Sequence, residues 1–385
     1  MPTALIVGAG IGGLAAAVSL RRVGWQVRVF ERAMTPRELG FALALAPNAV
    51  AALRELGVAE SVLRDGFLTR SVEIRKGDGT RLKRVDFRVD EHTLYSLVAL
   101  RTVVHGSLLD AAGSDALVLG SAAAGYEVTG DGVRLRLADG REIAGDILVG
   151  ADGVASAIRR QLHPAEPAPR PSGFHAVRGV THGVIEKLEG VSAVVYLGDG
   201  IEAGLVRADA SAIYWYLSLL DVDVAVTGPD ARAVLERAAA SLDPRFGSIA
   251  LATRSEDLRL DRLWQRDPLD EWGRGPITLL GDAAHPVLPY TAQGAALALE
   301  DGVALGLALS RPGDPAAALR RYEHVRSNRT RRIVRLGPRI GATTTTRSRS
   351  RIFLRNAAIR LAPGFLLTAS LNLHARDPHR QLRSG

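Results

Sequence analysis

At 385 residues, with 47% hydrophobic content and a formal net charge of +8, the chain exceeds what one compact core usually carries and has apolar material enough for two domains. It contains no Cys, which excludes disulfides, thiolate nucleophiles and cysteine-ligated zinc, and makes a cytoplasmic protein the simpler expectation. No stretch reaches the roughly 18 uninterrupted apolar residues of a membrane span, and the apolar N-terminus is broken by glycines and has no basic leader.

In chain order, Ala4 to Val7 reads as a short apolar strand and Gly8-x-Gly10-x-x-Gly13 as a turn. Leu14 to Arg22 follows as a helix, and Gln26 to Phe30 as a second strand ending on Glu31. This is a dinucleotide fingerprint in its structural setting. Gly8 serves the tight turn, Gly10 the close approach of backbone to a pyrophosphate and Gly13 the packing of helix on strand, with Gly12 between them. The helix N-terminus supplies free N–H groups for the phosphates. Glu31, with Arg32 beside it, stands where a carboxylate accepts hydrogen bonds from a ribose diol. A bare GxGxxG would do no more than join strand to helix. The whole unit argues for a bound dinucleotide and leaves NAD and FAD both open.

A helix is expected from Pro47 to Leu56, and hairpins turn at Asp78-Gly79 and Asp139-Gly140. The segment "GDILVGADGVASAIRR", Gly145 to Arg160, repeats the pattern of a buried strand ending on a carboxylate, Asp152, before a helix start with Ser156 and Arg159. From about Pro164 a Pro-rich linker leads into alternating segments, the mark of a half-buried sheet. Arg207, Tyr214, Trp215, Tyr216 and, further on, Tyr290 are candidate pocket residues, although ordinary sheet packing explains each equally well. Alternation places Tyr214 and Trp215 on opposite faces without saying which meets a ligand. Arg207 is the candidate anionic or hydrogen-bonding anchor. A helix is expected from Pro229 to about Ser241.

The stretch "PITLLGDAAHPVLPYTAQGAALALED", Pro276 to Asp301, runs an apolar strand into Gly281-Asp282 and then, past two prolines, into an alanine-rich helix at Gly294. A nicotinamide enzyme has no use for a second site so far downstream, whereas an extended FAD is gripped along its whole length. Asp282 can accept from ribityl hydroxyls, and the N–H groups of Ala295 and Ala296 can face an electron-rich ring edge. His285 and His175 could act as bases, but read better as part of this motif and of a core strand. Between Arg326 and Arg360 lie eleven Arg and no acidic residue. With no interleaved aromatics or known binding module, this reads as a solvated helical face rather than a nucleic-acid site.

These motifs, in this order, resemble the single-component, group A FAD-dependent monooxygenases related to para-hydroxybenzoate hydroxylase. The pattern is similar above all to the salicylate, 3-hydroxybenzoate and urate hydroxylases. The resemblance takes in GxGxxG with Glu31, the ADG motif at Ala151 to Gly153, and GDAAH at Gly281 to His285 with Pro289, Gly294 and Glu300-Asp301. It extends to "ALAPNAVAALRELG" at Ala44 to Gly57, to Arg101 and to "YEHVRSNR" at Tyr322 to Arg329. It implies that Glu31 holds the adenosine ribose, Arg101 the ribityl-phosphate region and Asp282 the ribityl chain, that Asp152 belongs to a motif serving FAD and NAD(P)H, and that the Gly294 helix start faces the isoalloxazine. One departure is Ala296, where many relatives carry Asn; the backbone N–H survives and the amide does not.

The fold expected is α/β, with a discontinuous Rossmann-like FAD-binding domain (1–70, 98–163 and 273–310) and a mixed-sheet substrate domain (71–97 and 164–272). C-terminal helices (311–385) pack on the FAD domain. The implied activity uses non-covalent FAD, with NADH or NADPH as a transient co-substrate lacking its own Rossmann motif. Oxygen adds at flavin C4a and one atom passes to an electron-rich aromatic or polycyclic small molecule, by hydroxylation or epoxidation. Rival readings are a flavin oxidase or dehydrogenase without oxygen insertion and a non-catalytic flavin-binding protein; a flavin halogenase would show a Trp-x-Trp-x-Ile-Pro motif, which is absent here. Partners are then the substrate and O2, with no nucleic acid, no stable membrane association, and a monomer or homodimer.

Overall fold

The computed structural model of the protein describes residues 1–35, 41–87, 96–363 and 382; the parts of the expected domains at 36–40, 88–95, 364–381 and 383–385 lie outside the described residues. Thr3–Val7 pairs in parallel with Gln26–Phe30 on one side and Ile147–Gly150 on the other. Leu117–Val118 and Ile277–Leu279 extend this to a five-stranded sheet. Its central strands are apolar at consecutive positions, Ala4 to Ile6 and Ile147 to Val149, and all are fully buried, because a parallel sheet is covered on both faces.

Helices Ile11–Arg22 and Gly294–Leu309 pack closely against each other beside that sheet. Small residues make the approach possible. A Cβ on Gly302 would stand 2.7 Å from the Ala15 backbone carbon, and one on Gly306 2.0 Å from Ser19 Oγ.

A second sheet of seven strands runs in the order Arg259–Gln265, Arg170–His182, Ala212–Leu220, Ile201–Arg207, Ala193–Leu197, Ser71–Lys76 and Arg81–Asp86. It is mixed, because Ala193–Leu197 pairs in parallel with Ser71–Lys76 while its other neighbours are antiparallel. The hairpin at Asp78-Gly79 forms as its sequence predicts, with Gly79 at φ +86° and Asp78 Oδ1 accepting from Thr80 N–H at 2.8 Å. Helices Ala231–Ala239 and Pro244–Ala250 cover one face of this sheet, where Trp215, Leu235 and Phe246 share a core. The first of these starts two residues later than Pro229 suggests, because Asp230 accepts from the N–H groups of Arg232 and Ala233 and so caps it.

The basic C-terminal segment forms a long helix, Pro315–Thr344, followed by Arg349–Leu361. Its reading as a solvated face needs correction at four positions: Arg326 is fully buried, Arg355 is buried, and Arg329 and Arg331 are half-buried. Among the described residues no helix is long and apolar enough to cross a membrane.

The close helix contact yields a first expectation. Gly302→Val forces a branched side chain into the Ala15 backbone and should lower stability by about 2 kcal/mol or more, read as a fall in the urea midpoint. An unchanged midpoint would mean that the two helices can separate without penalty.

Candidate active site

The Gly-rich turn lies at the carboxyl end of Thr3–Val7. Gly8 has φ +103°, and a Cβ there would stand 2.4 Å from the Ala151 carbonyl oxygen, so this strand end touches the ADG segment through bare backbone. A Cβ on Gly13 would lie 1.9 Å from the Gly8 carbonyl oxygen, and one on Gly12 2.6 Å from Leu280 Cδ2. Three segments distant in sequence therefore meet where side chains are missing. Gly10 is different, since nothing lies within 4 Å of its Cβ position. It faces open space at the N-terminus of helix Ile11–Arg22, a location suited to an anion.

Glu31 accepts from Ala9 N–H and Ala33 N–H, both at 2.9 Å, so its carboxylate is fixed at the rim of the turn with lone pairs to spare. Arg32 is exposed beside it. His105, on helix Arg101–Ala112, lies 2.7 Å through Nε2 from the Ala9 carbonyl oxygen and holds the turn from below. Sequence pattern gave no hint of this role for His105.

Asp152 accepts through Oδ2 from Ala157 N–H at 2.7 Å and Ile158 N–H at 3.4 Å. Its Oδ1 is buried and without a partner, and burial raises the carboxyl against the pull of Ser156 and the backbone donors. Arg159 is fully buried. It donates to the carbonyl oxygens of Ala283 and Ala284 at 2.9 and 3.0 Å and pairs with Glu166 at 2.5 Å, so the second motif carries the third.

Gly281 (φ +61°) starts the third motif. The Asp282 side chain is exposed to solvent, yet desolvation by the surrounding protein raises its carboxyl; His285 and Arg101 pull the other way and Asp301 adds to the rise. The side chain of His285 turns inward, donating from Nε2 to Asp301 Oδ2 at 2.5 Å and packing 5.1 Å from the Trp272 ring. The same Asp301 oxygen accepts from Gly281 N–H at 3.0 Å, and its Oδ1 from Arg326 Nε at 2.6 Å. Glu300 accepts from Asn48 at 2.8 Å and pairs with Arg326 and Arg329 at 2.7 and 2.9 Å. Asn48 in turn donates to Gln293 at 3.1 Å. Pro289 is exposed in a short turn that ends on Ala292 at φ +50°, a left-handed conformation that costs a non-glycine residue about 1 to 2 kcal/mol. Gln293 occupies the N-cap position of helix Gly294–Leu309 without a side-chain cap; Gly294 and Ala295 are half-buried and Ala296 is buried.

An extended dinucleotide fits what these residues leave. There is space beyond Gly10, an accepting carboxylate at Glu31, an exposed carboxylate at Asp282, and the uncapped N–H groups of the Gly294 helix.

The pocket candidates divide between the faces of the seven-stranded sheet. Tyr214 and Tyr216 share one face and stack at 6.2 Å. Gly204 stands directly opposite Tyr216, and a Cβ there would be 2.2 Å from the ring. The ring can therefore lie across the neighbouring strand, and its hydroxyl donates to Glu202 at 3.0 Å. Burial raises both phenols, Tyr214 to about 12, so both remain hydrogen-bond donors. Ser218 on the same face meets the Tyr290 hydroxyl, and the Tyr290 ring lies edge-on to Phe174 at 5.2 Å. Through Tyr290 the aromatic face touches the third motif.

Two candidates need correction. Trp215 is fully buried on the opposite face, donating to Thr253 at 2.8 Å, because residues adjacent along a strand point to opposite sides. Arg207 is paired with Ile213 of that opposite face, lies over the Phe67 ring at 4.2 Å and donates to the Asp209 carbonyl oxygen at 3.0 Å. Its guanidinium is thus occupied by Phe67 and by its own turn. His175, half-buried, lies 2.9 Å from Asp221 through Nδ1.

A family model described as "FAD binding domain" matches residues 1–336. The chain is 36% identical over 343 residues to Aurachin C monooxygenase/isomerase of Stigmatella aurantiaca, covering 88% of each chain. It is 33% identical over 349 residues to 3-amino-4-hydroxybenzoate 2-monooxygenase of Streptomyces cremeus, covering 87% of this chain and 86% of the other. A variant of Klebsiella pneumoniae HpxO, solved with FAD, superposes with a TM-score of 0.89 at 26% identity, over 97% of this chain and 98% of the other.

The buried charges generate a second expectation. Burial raises the Asp301 carboxyl, but His285 and Arg326 outweigh it and hold it down to about 2. A carboxyl lowered on folding contributes stability that is complete above its unfolded value near 4 and is lost as pH falls towards 2. Asp301→Asn should therefore lower stability at neutral pH by about 3 to 5 kcal/mol, the effect of leaving Arg326 buried without its partner, and should flatten the acid limb of the melting-temperature profile between roughly pH 4 and 2. A variant as stable as the wild type at pH 7 would contradict this.

A third expectation concerns the exposed Asp282 carboxylate. Asp282→Ala removes an acceptor whose contact with a hydroxyl is on the order of 1.5 to 3 kcal/mol, so FAD affinity should fall roughly tenfold to a hundredfold; Gly10→Val should weaken it by filling the space beside the helix N-terminus. Fluorescence titration of the apoprotein with FAD reads both. Wild-type affinity in either variant would remove that residue from the site.

Proposed function

The chain belongs to the FAD binding domain family and is an FAD-dependent monooxygenase, and on that premise we propose that NADH or NADPH supplies its electrons. We propose further that its substrate is an electron-rich aromatic or polycyclic small molecule, hydroxylated or epoxidised with one atom of O2. The observation that carries this reading is the position of Tyr290. It lies in the turn before the Gly294 helix and bonds to Ser218 on the Tyr214 and Tyr216 face, so the expected flavin end of the site opens onto an aromatic surface.

When bound, FAD supplies the redox and oxygen-transfer chemistry. The chain's residues position and shield it. In this reading Gly8, Gly10, Gly12 and Gly13 receive the pyrophosphate, Glu31 and Arg32 the adenosine end, and Arg101, Gly281 and Asp282 the ribityl-phosphate region. Asp152 borders the ribityl-phosphate side, and the N–H groups of Gly294, Ala295 and Ala296, past Pro289, face the ring. Tyr214 keeps its proton and offers a hydrogen bond to a ring substituent, Tyr216 spends its own on Glu202, and the apolar neighbours Val180 and Val206 exclude water from the reacting carbon. The division into FAD-binding, substrate and C-terminal parts follows the two sheets, and a monomer or homodimer acting on free substrate and O2 suits it. The relatives' names, a hydroxybenzoate monooxygenase among them, support aromatic substrates.

Turnover under ¹⁸O2 with NADH or NADPH should place one labelled atom in the product, read by mass spectrometry, and substrate should accelerate oxidation of the nicotinamide. Unlabelled product, or one H2O2 per NAD(P)H with every aromatic tried, would move the reading to an oxidase.

A further inference from the structure

Resting on the reading of the Tyr214 and Tyr216 face as the substrate side, we propose that Glu202 is its polar anchor. It selects neutral or cationic aromatic substrates that carry an N–H or O–H donor, and disfavours carboxylates.

Glu202 lies on the strand next to the tyrosines, directly opposite Ser218, and is only 8% exposed. Its Oε1 accepts from the Tyr216 hydroxyl at 3.0 Å. Its Oε2 is buried with no hydrogen-bond partner. Thr344 and Arg355 are the nearest remaining donors. The Thr344 hydroxyl stands within reach of the Glu202 carboxyl but is directed at the carbonyl oxygens of Ile340 and Gly341, both at 3.2 Å. Arg355 donates to the carbonyl oxygens of Thr344 and Leu197 at 2.7 and 3.2 Å. Burial raises the Glu202 carboxyl against the pull of Thr344, Tyr216 and Arg355. A buried carboxylate oxygen without a donor is costly, and a donor on a bound ring removes that cost.

The cations nearest this face already have partners. Arg207 lies over the Phe67 ring and donates to the Asp209 carbonyl oxygen. Arg178, opposite Tyr216 on this face, is paired with Asp261 at 2.5 Å and lies over the Phe41 ring, with its Nε buried and left without a hydrogen-bond partner. Ser218 and Tyr290 link the Glu202 neighbourhood to the turn before Gly294, so a ring held by Glu202 sits beside that turn. A carboxylate placed there brings no donor to the Glu202 Oε2 and must itself be desolvated.

The test uses two probes that differ by one carboxylate, 2-aminophenol and 3-amino-4-hydroxybenzoate, titrated calorimetrically into the FAD-loaded protein with its flavin absorbance recorded. The wild type should bind 2-aminophenol about tenfold or more tighter. Glu202→Gln keeps the shape and an acceptor but removes the charge. It should tighten 3-amino-4-hydroxybenzoate about tenfold and leave 2-aminophenol within about threefold, whereas Glu202→Ala should weaken 2-aminophenol about tenfold. Equal affinities in the wild type, no binding of either probe at millimolar concentration, or an unchanged affinity ratio in Glu202→Gln would each overturn the proposal. A protein that holds FAD and labels its product from ¹⁸O2 but shows one of these results refutes the anchor alone; unlabelled product with the expected ratios refutes the monooxygenase reading alone.

Discussion

The Asp301 carboxylate is fully buried, and the rest of the site depends on what it holds. From two turns inside helix Gly294–Leu309 it accepts from Gly281 N–H, from His285 and from Arg326. Its neighbour Glu300 binds Arg326, Arg329 and Asn48, and Asn48 reaches Gln293 at the helix start. The two ends of the motif loop, Gly281 and Gln293, are thus tied to consecutive acidic residues of a single helix. Desolvating these charges is expensive, and removing any one partner exposes the full cost of the others. The loop therefore has one arrangement compatible with the core. That arrangement leaves Asp282 exposed while His285, three residues on, is turned inward.

Much of this was legible in the sequence where the signal is local. The Gly8 to Gly13 turn, the strand ending on Glu31 and the strand running into Gly281-Asp282 all formed, because glycine spacing and an apolar run followed by an acid encode them within a few residues. Long-range partners were not legible. Arg326 belongs to a segment whose many arginines read as a solvated face, and only the position of helix Pro315–Thr344 against Gly294–Leu309 explains why this one is buried. Arg159 looked like a helix-start residue and instead spans to Ala283 and Ala284. Strand alternation separated Tyr214 from Trp215 correctly but could not orient them; the helices covering Trp215 decide it. Arg207 failed as an anchor for a related reason, since its register partner Ile213 belongs to the Trp215 face.

The tyrosine face follows the same logic with glycine in place of charge. Gly204 and Gly341 lack the side chains that would collide with the rings of Tyr216 and Tyr290, and the two hydroxyls reach Glu202 and Ser218. In the proposed reading the chemistry divides accordingly: backbone N–H groups and fixed carboxylates would serve the cofactor, and the tyrosine face beside Glu202 the ring to be oxidised.

In the proposed reading the buried Asp301 carboxylate sets the geometry of the loop that would bind FAD. The most direct test is the FAD dissociation constant of Asp301→Asn apoprotein, measured by flavin fluorescence at a temperature where circular dichroism shows the variant folded. If Asp301 positions Gly281, Asp282 and the Gly294 helix start, affinity should fall by about tenfold or more. A folded variant that binds FAD as tightly as the wild type would contradict the account.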